Sequence, residues 1–218
     1  ITATDNKEVE TIFKSIASRL NAPVYSIFDY SFIDYKNDLK GNYQQLNVKT
    51  ALLALQILKE KGWSIPEESI RKGLSNVIAN TGFRGRWEVL AKSPKVICDT
   101  GHNVDGIVQI VQQLKIEKYK QLHFVFGMVN DKDPGIILSL LPKNANYYFC
   151  RSSVPRSLPV EKLILESNNA GLKGNAFSTV ESAFLNAMEN AKENDLIFVG
   201  GSTFVVADLL SYLEKIKK

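Results

Sequence analysis

The chain has 218 residues, 27 Lys+Arg against 23 Asp+Glu, 44% hydrophobic residues and two cysteines. At about 100–200 residues per domain this is one large domain or two small ones, and its apolar and charged fractions are those of a globular protein. The charge of +4 is spread along the chain, so no block of like charge marks a nucleic-acid tail or a membrane-surface helix. No apolar run approaches the ~20 residues of a membrane span, and the N-terminus lacks the layout of a signal peptide. Two cysteines, each closing an apolar run, make no disulfide framework, which fits a reducing cytoplasm.

The chain opens with Ile1 and runs directly into Thr4-Asp5-Asn6-Lys7-Glu8, a helix start. Thr4 or Asp5 caps a predicted helix to about Leu20, with Val9, Ile12, Phe13, Ile16 and Leu20 on one face. Val24–Phe28 reads as β-rich. Helices follow from about Asn47 to Lys61 and from Pro66 to about Asn80; the second has proline in its first turn and acids near the positive end of the dipole.

Past Thr81-Gly82-Phe83-Arg84-Gly85 the pattern changes, and a domain boundary is expected there. Strands are predicted at 86–91, 95–99, 121–127, 145–150, 175–177 and 195–199, with helices near 103–115, 133–141, 159–168, 179–192 and 203–215. Short apolar strands separated by helices predict an α/β fold, a Rossmann-like, mostly parallel sheet buried on both faces. The first two strands lack a helix between them, so a hairpin turning at Ser93-Pro94 is expected. Arg86 then faces the neighbourhood of Asp99.

Ligands of open α/β sheets bind beyond the carboxyl ends of the strands. Strand 95–99 ends in Asp99-Thr100-Gly101-His102-Asn103 before a helix. Asp99 could accept hydrogen bonds from ribose hydroxyls, and His102 sits where a helix N-terminus attracts phosphate. The lesser alternative is that Asp99 and Asn103 only cap the helix, leaving His102 solvated. Arg86 offers a fork suited to phosphate, or a structural ion pair with Asp99. Gly200-Gly201-Ser202-Thr203 follows the last strand and allows close ligand approach or plain helix capping. The loops 127–133 and 151–156 carry cations that an anionic substrate or solvent could engage. His123, inside a strand, reads as structural. No Walker-type phosphate loop, G-x-G-x-x-G, zinc spacing or G-x-S-x-G elbow is present.

Taken together, Lys40-Gly41-Asn42-Tyr43-Gln44-Gln45-Leu46-Asn47, Gly85-Arg86-Trp87-Glu88, Cys98-Asp99-Thr100-Gly101-His102-Asn103, Gly127 through Asp131-Lys132-Asp133, Pro155-Arg156-Ser157-Leu158 and Gly201-Ser202 resemble the folylpolyglutamate synthase/dihydrofolate synthase branch of the Mur ligase family. The D-x-[AG]-H-N element with an arginine thirteen residues before it is the most specific of these. Thr100-Gly101 stands where the family more often has a small residue and alanine; glycine preserves the tight turn.

The resemblance implies ATP-dependent joining of L-glutamate to a folate or dihydropteroate carboxylate through an acyl phosphate. It implies ATP and Mg2+ as cofactors, with the phosphate loop, magnesium-binding residues and modified lysine all lying before anything in this sequence. Ile1 is therefore expected to fall inside the ATPase domain. Residues 1–82 would be that domain's tail, and residues 83–218 the C-terminal, glutamate-ligase domain. By position, the family pattern assigns Asn47 to adenine, Arg86 to the phosphates, Asp99 to ribose and His102 to the nucleotide site across the domain cleft. Ser202 is assigned to glutamate or the interdomain site and Arg156 to a substrate carboxylate. A cytoplasmic monomer acting on small molecules, with no nucleic-acid or membrane partner, is expected.

Overall fold

The computed structural model describes residues 1–131 and 133–216. Two compact units divide the chain, Ile1–Phe83 and Arg84–Lys218. The first is helical: α1 (Lys7–Arg19), α2 (Gln44–Glu60), α3 (Glu67–Ser75) and α4 (Val77–Thr81). Asn6 caps α1 by accepting from the N–H groups of Glu8 and Val9. The helix expected from Pro66 to Asn80 is broken at Asn76, whose backbone leaves the helical region (φ −134°, ψ 34°) while its side chain donates to the Lys72 carbonyl. Asparagine competes with the helix in this way for backbone groups. The Asp38 carboxylate restarts the chain as α4 by accepting from Ile78 N at 3.0 Å. Val24–Phe28 forms no extended strand. Ser26 makes a single parallel bridge to Thr2, and Ile27–Asp29 winds into a 3-10 turn capped by Ser26.

The second unit holds β1 (Glu88–Lys92), β2 (Lys95–Asp99), α5 (Val104–Ile116), β3 (Leu122–Phe126), α6 (Pro134–Ser139), β4 (Asn146–Cys150), α7 (Val160–Asn169), β5 (Gly174–Phe177), α8 (Val180–Asn190), β6 (Leu196–Gly200) and α9 (Thr203–Lys215). The six strands lie in the order β1-β2-β6-β3-β4-β5, all parallel except β1, which runs antiparallel to β2. This is the mostly parallel α/β sheet with a leading hairpin that the sequence pattern predicts. Glu88 pairs with Cys98 and Lys92 with Lys95. β1 itself starts two residues later than predicted, because Gly85 (φ 77°) and Trp87 (φ 46°) are left-handed rather than extended.

Alternate residues of each strand feed two cores. Ile97, Phe124, Phe126, Phe149 and Phe198 pack with α5, α6 and α7 on one face. Val96, Cys98, Val125, Ile197 and Val199 pack with α8 and α9 on the other. Each fully buried aliphatic or aromatic side chain of this kind contributes about 1.5–3 kcal/mol. Because β6 inserts between β2 and β3, the helices leaving neighbouring strands β2 and β6 depart to opposite faces. In open α/β sheets, ligands bind at such a switch point, outside the carboxyl ends of the strands.

Candidate functional site

The end of β2 is built around Asp99, which is 1% exposed. Burying a carboxylate is costly unless it is hydrogen-bonded. Here it accepts from Trp87 N and from Gly101 N, both at 2.7 Å. Hydrogen bonds to a charged acceptor are the stronger kind, about 1.5–3 kcal/mol each. The Thr100 N–H meanwhile donates to the Gly85 carbonyl at 2.9 Å. Arg86 is therefore bracketed: the residue on each side of it is tied to the end of β2. The connection between the Arg86 turn and the end of β2 runs through the backbone of Gly85 and Trp87. Arg86 is half-buried between two buried neighbours, Gly85 and Trp87.

Further contacts fix this turn. The Glu88 carboxylate accepts from Gly85 N at 2.7 Å and from Arg84 Nε at 2.5 Å. A Cβ at Gly85 would lie 3.0 Å from both Thr100 Cγ2 and Val206 Cγ1, so the turn sits closely against the end of β2 and the start of α9. The Trp87 ring is buried against Phe198, centroids 5.7 Å apart, and its indole N–H donates to Glu117 at 3.3 Å. A left-handed tryptophan costs roughly 1–2 kcal/mol, and such strain persists only where the surroundings over-determine it.

Beyond Asp99 the chain turns at Gly101, where a Cβ would meet Ile110 Cδ1 at 2.7 Å. His102 is exposed at the mouth of α5, its Nδ1 2.9 Å from the Thr100 carbonyl oxygen. Asn103 caps α5 by accepting from Gly106 N at 2.9 Å. The helix N-terminus beside His102 is a favourable place for an anion.

One strand over, Asp99 is in register with Gly200 of β6. Gly201 has φ 91°, and a Cβ there would lie 2.4 Å from the Phe126 ring, so only glycine makes this turn without displacing the core. Ser202 is 2% exposed and caps α9 through Phe204 N at 3.2 Å. The loops after β3 and β4 are zipped together by Asn130 N to the Arg156 carbonyl (2.9 Å) and Leu158 N to the Met128 carbonyl (2.8 Å). That pairing holds the exposed Arg156 guanidinium 4.7 Å above the Phe204 ring and 3.8 Å from Asp131. Lys132, in the same motif, lies outside the described residues.

The second unit thus gathers Arg86, Asp99, His102, Ser202 and Arg156 along the carboxyl ends of β2, β6, β3 and β4. Two of them bond to main-chain N–H groups. Asp99 turns its carboxylate inward to backbone N–H groups, and Ser202 spends its hydroxyl on a helix cap. Asn47 belongs to the first unit, on the exposed surface of α2, with its amide donating to Gln44 at 2.8 Å. Sequence reading gave Trp87 no role of its own within its motif and missed Phe204; an apolar residue carries no sign that it holds a strained turn or floors an arginine.

The remaining titratable groups lie away from this edge. Burial pushes Cys98 up to about 12, the nearby Glu88 and Asp99 carboxylates adding to the effect. Cys150 is likewise raised by burial. Neither is a nucleophile at neutral pH. His123 accepts or donates at Tyr148 Oη (2.8 Å), and its Nε2 lies 3.5 Å from Asp195, a buried structural pair. The described residues include no group of three or more His, Cys, Asp or Glu side chains able to hold a metal ion. No described helix is long and apolar enough to cross a membrane.

The profile of the Mur ligase, glutamate ligase domain matches residues 85–203. A probable bifunctional folylpolyglutamate synthase/dihydropteroate synthase of Haloferax volcanii is 31% identical over 209 residues, covering 94% of this chain and 24% of the relative. The dihydrofolate synthase/folylpolyglutamate synthase of Escherichia coli is 28% identical over 197 residues, covering 87% of this chain and 44% of its own. Among solved structures, E. coli FolC in complex with ADP, without folate substrate, superposes with a TM-score of 0.77 at 25% identity, over 94% of this chain and 51% of that one. The chain therefore spans a quarter to about half the length of these proteins. On the matched glutamate ligase domain and this sheet, the chain belongs to the Mur ligase family.

Proposed function

We propose that this chain supplies one wall of an ATP-dependent ligase that joins L-glutamate to a folate or dihydropteroate carboxylate. The observation that carries the reading is the bracketing of Arg86 against the Asp99–His102 turn, in a chain of the Mur ligase family whose relatives are folylpolyglutamate and dihydrofolate synthases. The Arg86 guanidinium, the His102 ring and the N-terminus of α5 together offer an edge suited to the phosphates of ATP. Their role is electrostatic, stabilising charge on a phosphoryl group in transit, where catalysis of this reaction class mostly lies.

In the proposed reaction a carboxylate oxygen of the pterin substrate attacks the γ-phosphorus, and the bond to ADP breaks to leave an acyl phosphate. The amine nitrogen of glutamate then attacks the acyl carbon. Inorganic phosphate departs, and the nitrogen gives up its proton to solvent. Asn47 is assigned to adenine. Arg156, floored by Phe204, is assigned to a substrate carboxylate, and the Gly201-Ser202 turn to the glutamate end. Asp99 reaches the nucleotide by shaping the turn that carries Arg86. Magnesium belongs to the reaction the resemblance implies, where it would neutralise charge on the ATP phosphates.

Residues 1–82 are read as the tail of the ATPase domain and 83–218 as the glutamate-ligase domain, in a cytoplasmic, monomeric enzyme of small-molecule substrates. The exposed apolar face of α1 (Ile12, Phe13, Ile16 and Leu20) supports the first part. An exposed apolar stripe of that kind is what a helix presents where it packs within a larger domain. The 218 residues alone are then expected to bind ATP weakly, and micromolar affinity in calorimetry would contradict a split site.

The test is direct. The full-length protein, given ATP, L-glutamate and either dihydropteroate or a reduced folate, should release one ADP per glutamate incorporated. With 18O in the pterin carboxylate, one label should appear in the released phosphate. Failure to glutamylate either acceptor would overturn the reading.

A further inference from the structure

Asn21 and Trp87 are the non-glycine residues of the described chain with positive φ, 48° and 46°. Asparagine tolerates the left-handed region, whereas for a bulky side chain it is a genuine outlier. Trp87 is also not at a loop tip. Its ring is 2% exposed, it packs on Phe198, and its main-chain N–H is held by the most buried carboxylate of the unit, Asp99. Strain of this kind clusters at sites where a neighbouring group must be aimed.

The geometry shows what is aimed. Were residues 86 and 87 extended, β1 would continue backward, and strand alternation would send the Arg86 and Glu88 side chains to one face of the sheet. The left-handed steps at Gly85 and Trp87 interrupt that alternation on both sides of Arg86. The same Asp99 carboxylate that holds Trp87 N also holds Gly101 N, one residue before His102. One buried acid therefore joins the turn presenting Arg86 to the turn presenting His102.

We propose that Trp87 and Asp99 are positioning residues that fix the Arg86 guanidinium for the nucleotide phosphates. The inference rests on the nucleotide reading above and deepens it. Preset geometry matters because a misplacement of about 1 Å can cost on the order of a hundredfold in rate. An arginine on an unfixed turn would also have to be ordered anew at each binding event.

A double-mutant cycle on the full-length enzyme tests it, with kcat/KM for ATP as the readout and melting temperature followed in every variant. Asp99→Asn keeps the size of the side chain but puts an amide NH2 where one backbone N–H needs an acceptor. It should lower kcat/KM about 10–100-fold with KM raised. In an Arg86→Ala background the same change should matter less than twofold, because residues acting through one another are not additive. Trp87→Phe, which keeps most of the buried ring, should follow the same pattern with a smaller loss. A fold-loss from Asp99→Asn that is equal in both backgrounds would overturn the inference while leaving the nucleotide reading intact, since a ribose ligand or a general loss of structure acts independently of Arg86. If Arg86→Ala alone leaves kcat/KM unchanged, the nucleotide reading itself fails and the positioning role falls with it.

Discussion

The two units of this chain solve the burial problem differently. In Arg84–Lys218 every strand from β2 to β4 and β6 is covered on both faces, and Ile97, Phe124, Phe149 and Phe198 are fully buried. In Ile1–Phe83 the buried cluster is Tyr35, Leu52 and Ile70, and α1 has no buried residue although its apolar positions recur on one face. The same periodicity that makes a helix amphipathic makes it stable only against a partner surface. One unit carries its core within itself. The other leaves the apolar face of its first helix exposed.

The sharpest way to break that contrast is inside the second core. Phe198 touches both Trp87 and Phe124, at 5.7 and 4.9 Å between ring centroids. Phe198→Ala should cost about 3–5 kcal/mol in chemical denaturation, as deletion of a buried aromatic does. Gly201→Ala comes next: the new Cβ would collide with Phe126 and adopt φ 91°. A loss of about 2–4 kcal/mol is expected from overpacking and backbone strain together. A cost below about 1 kcal/mol for either would mean that the sheet's carboxyl edge is looser than described.

A smaller effect depends on pH. Burial holds the His123 imidazole below its usual 6.5, against the upward pull of Asp195. The folded chain thus binds that proton less readily than the unfolded chain, so the stability is complete above 6.5 and declines as pH falls below it. Burial raises Asp195 as well, but hydrogen bonds from Lys192 N and Gln121 N, with the nearby His123 imidazole, outweigh it and leave the group below its usual 3.8. Its contribution is present above that value and fades in stronger acid. His123→Gln should flatten the loss of stability between pH 7 and 5, read as denaturation midpoints across that range. An unchanged slope would assign the acid sensitivity elsewhere. Smallest of all, Ile16→Ser in the 218-residue chain should shift stability by less than about 0.5 kcal/mol, the ordinary cost of a surface change. A large loss would show that α1 is packed after all.

Much of this architecture was legible in the sequence, and the reasons differ by element. The β2 strand, the Asp99–Asn103 turn and α5 follow from a short apolar run, a glycine and a capping asparagine, all local signals. The hairpin register followed from Ser93-Pro94 and the lack of a crossover helix. What the sequence hid was conformation fixed from a distance. Nothing local requires left-handed backbone at Trp87; Asp99, twelve residues on, and Phe198, more than a hundred residues on, impose it. The inward turn of the Asp99 carboxylate was hidden for the same reason, because a buried acid and a ligand-facing acid look alike in one dimension. The break at Asn76 depended on Asp38 reaching Ile78 from forty residues away.

The account rests on Arg86 serving phosphate from its bracketed turn, and the most direct test is Arg86→Ala in the full-length protein, assayed as glutamate-dependent ADP release. The account predicts a fall of at least about a hundredfold in kcat/KM, as when a donor to transition-state charge is removed, with the melting temperature held within a degree or two. Near-normal turnover in a folded Arg86→Ala enzyme would contradict it.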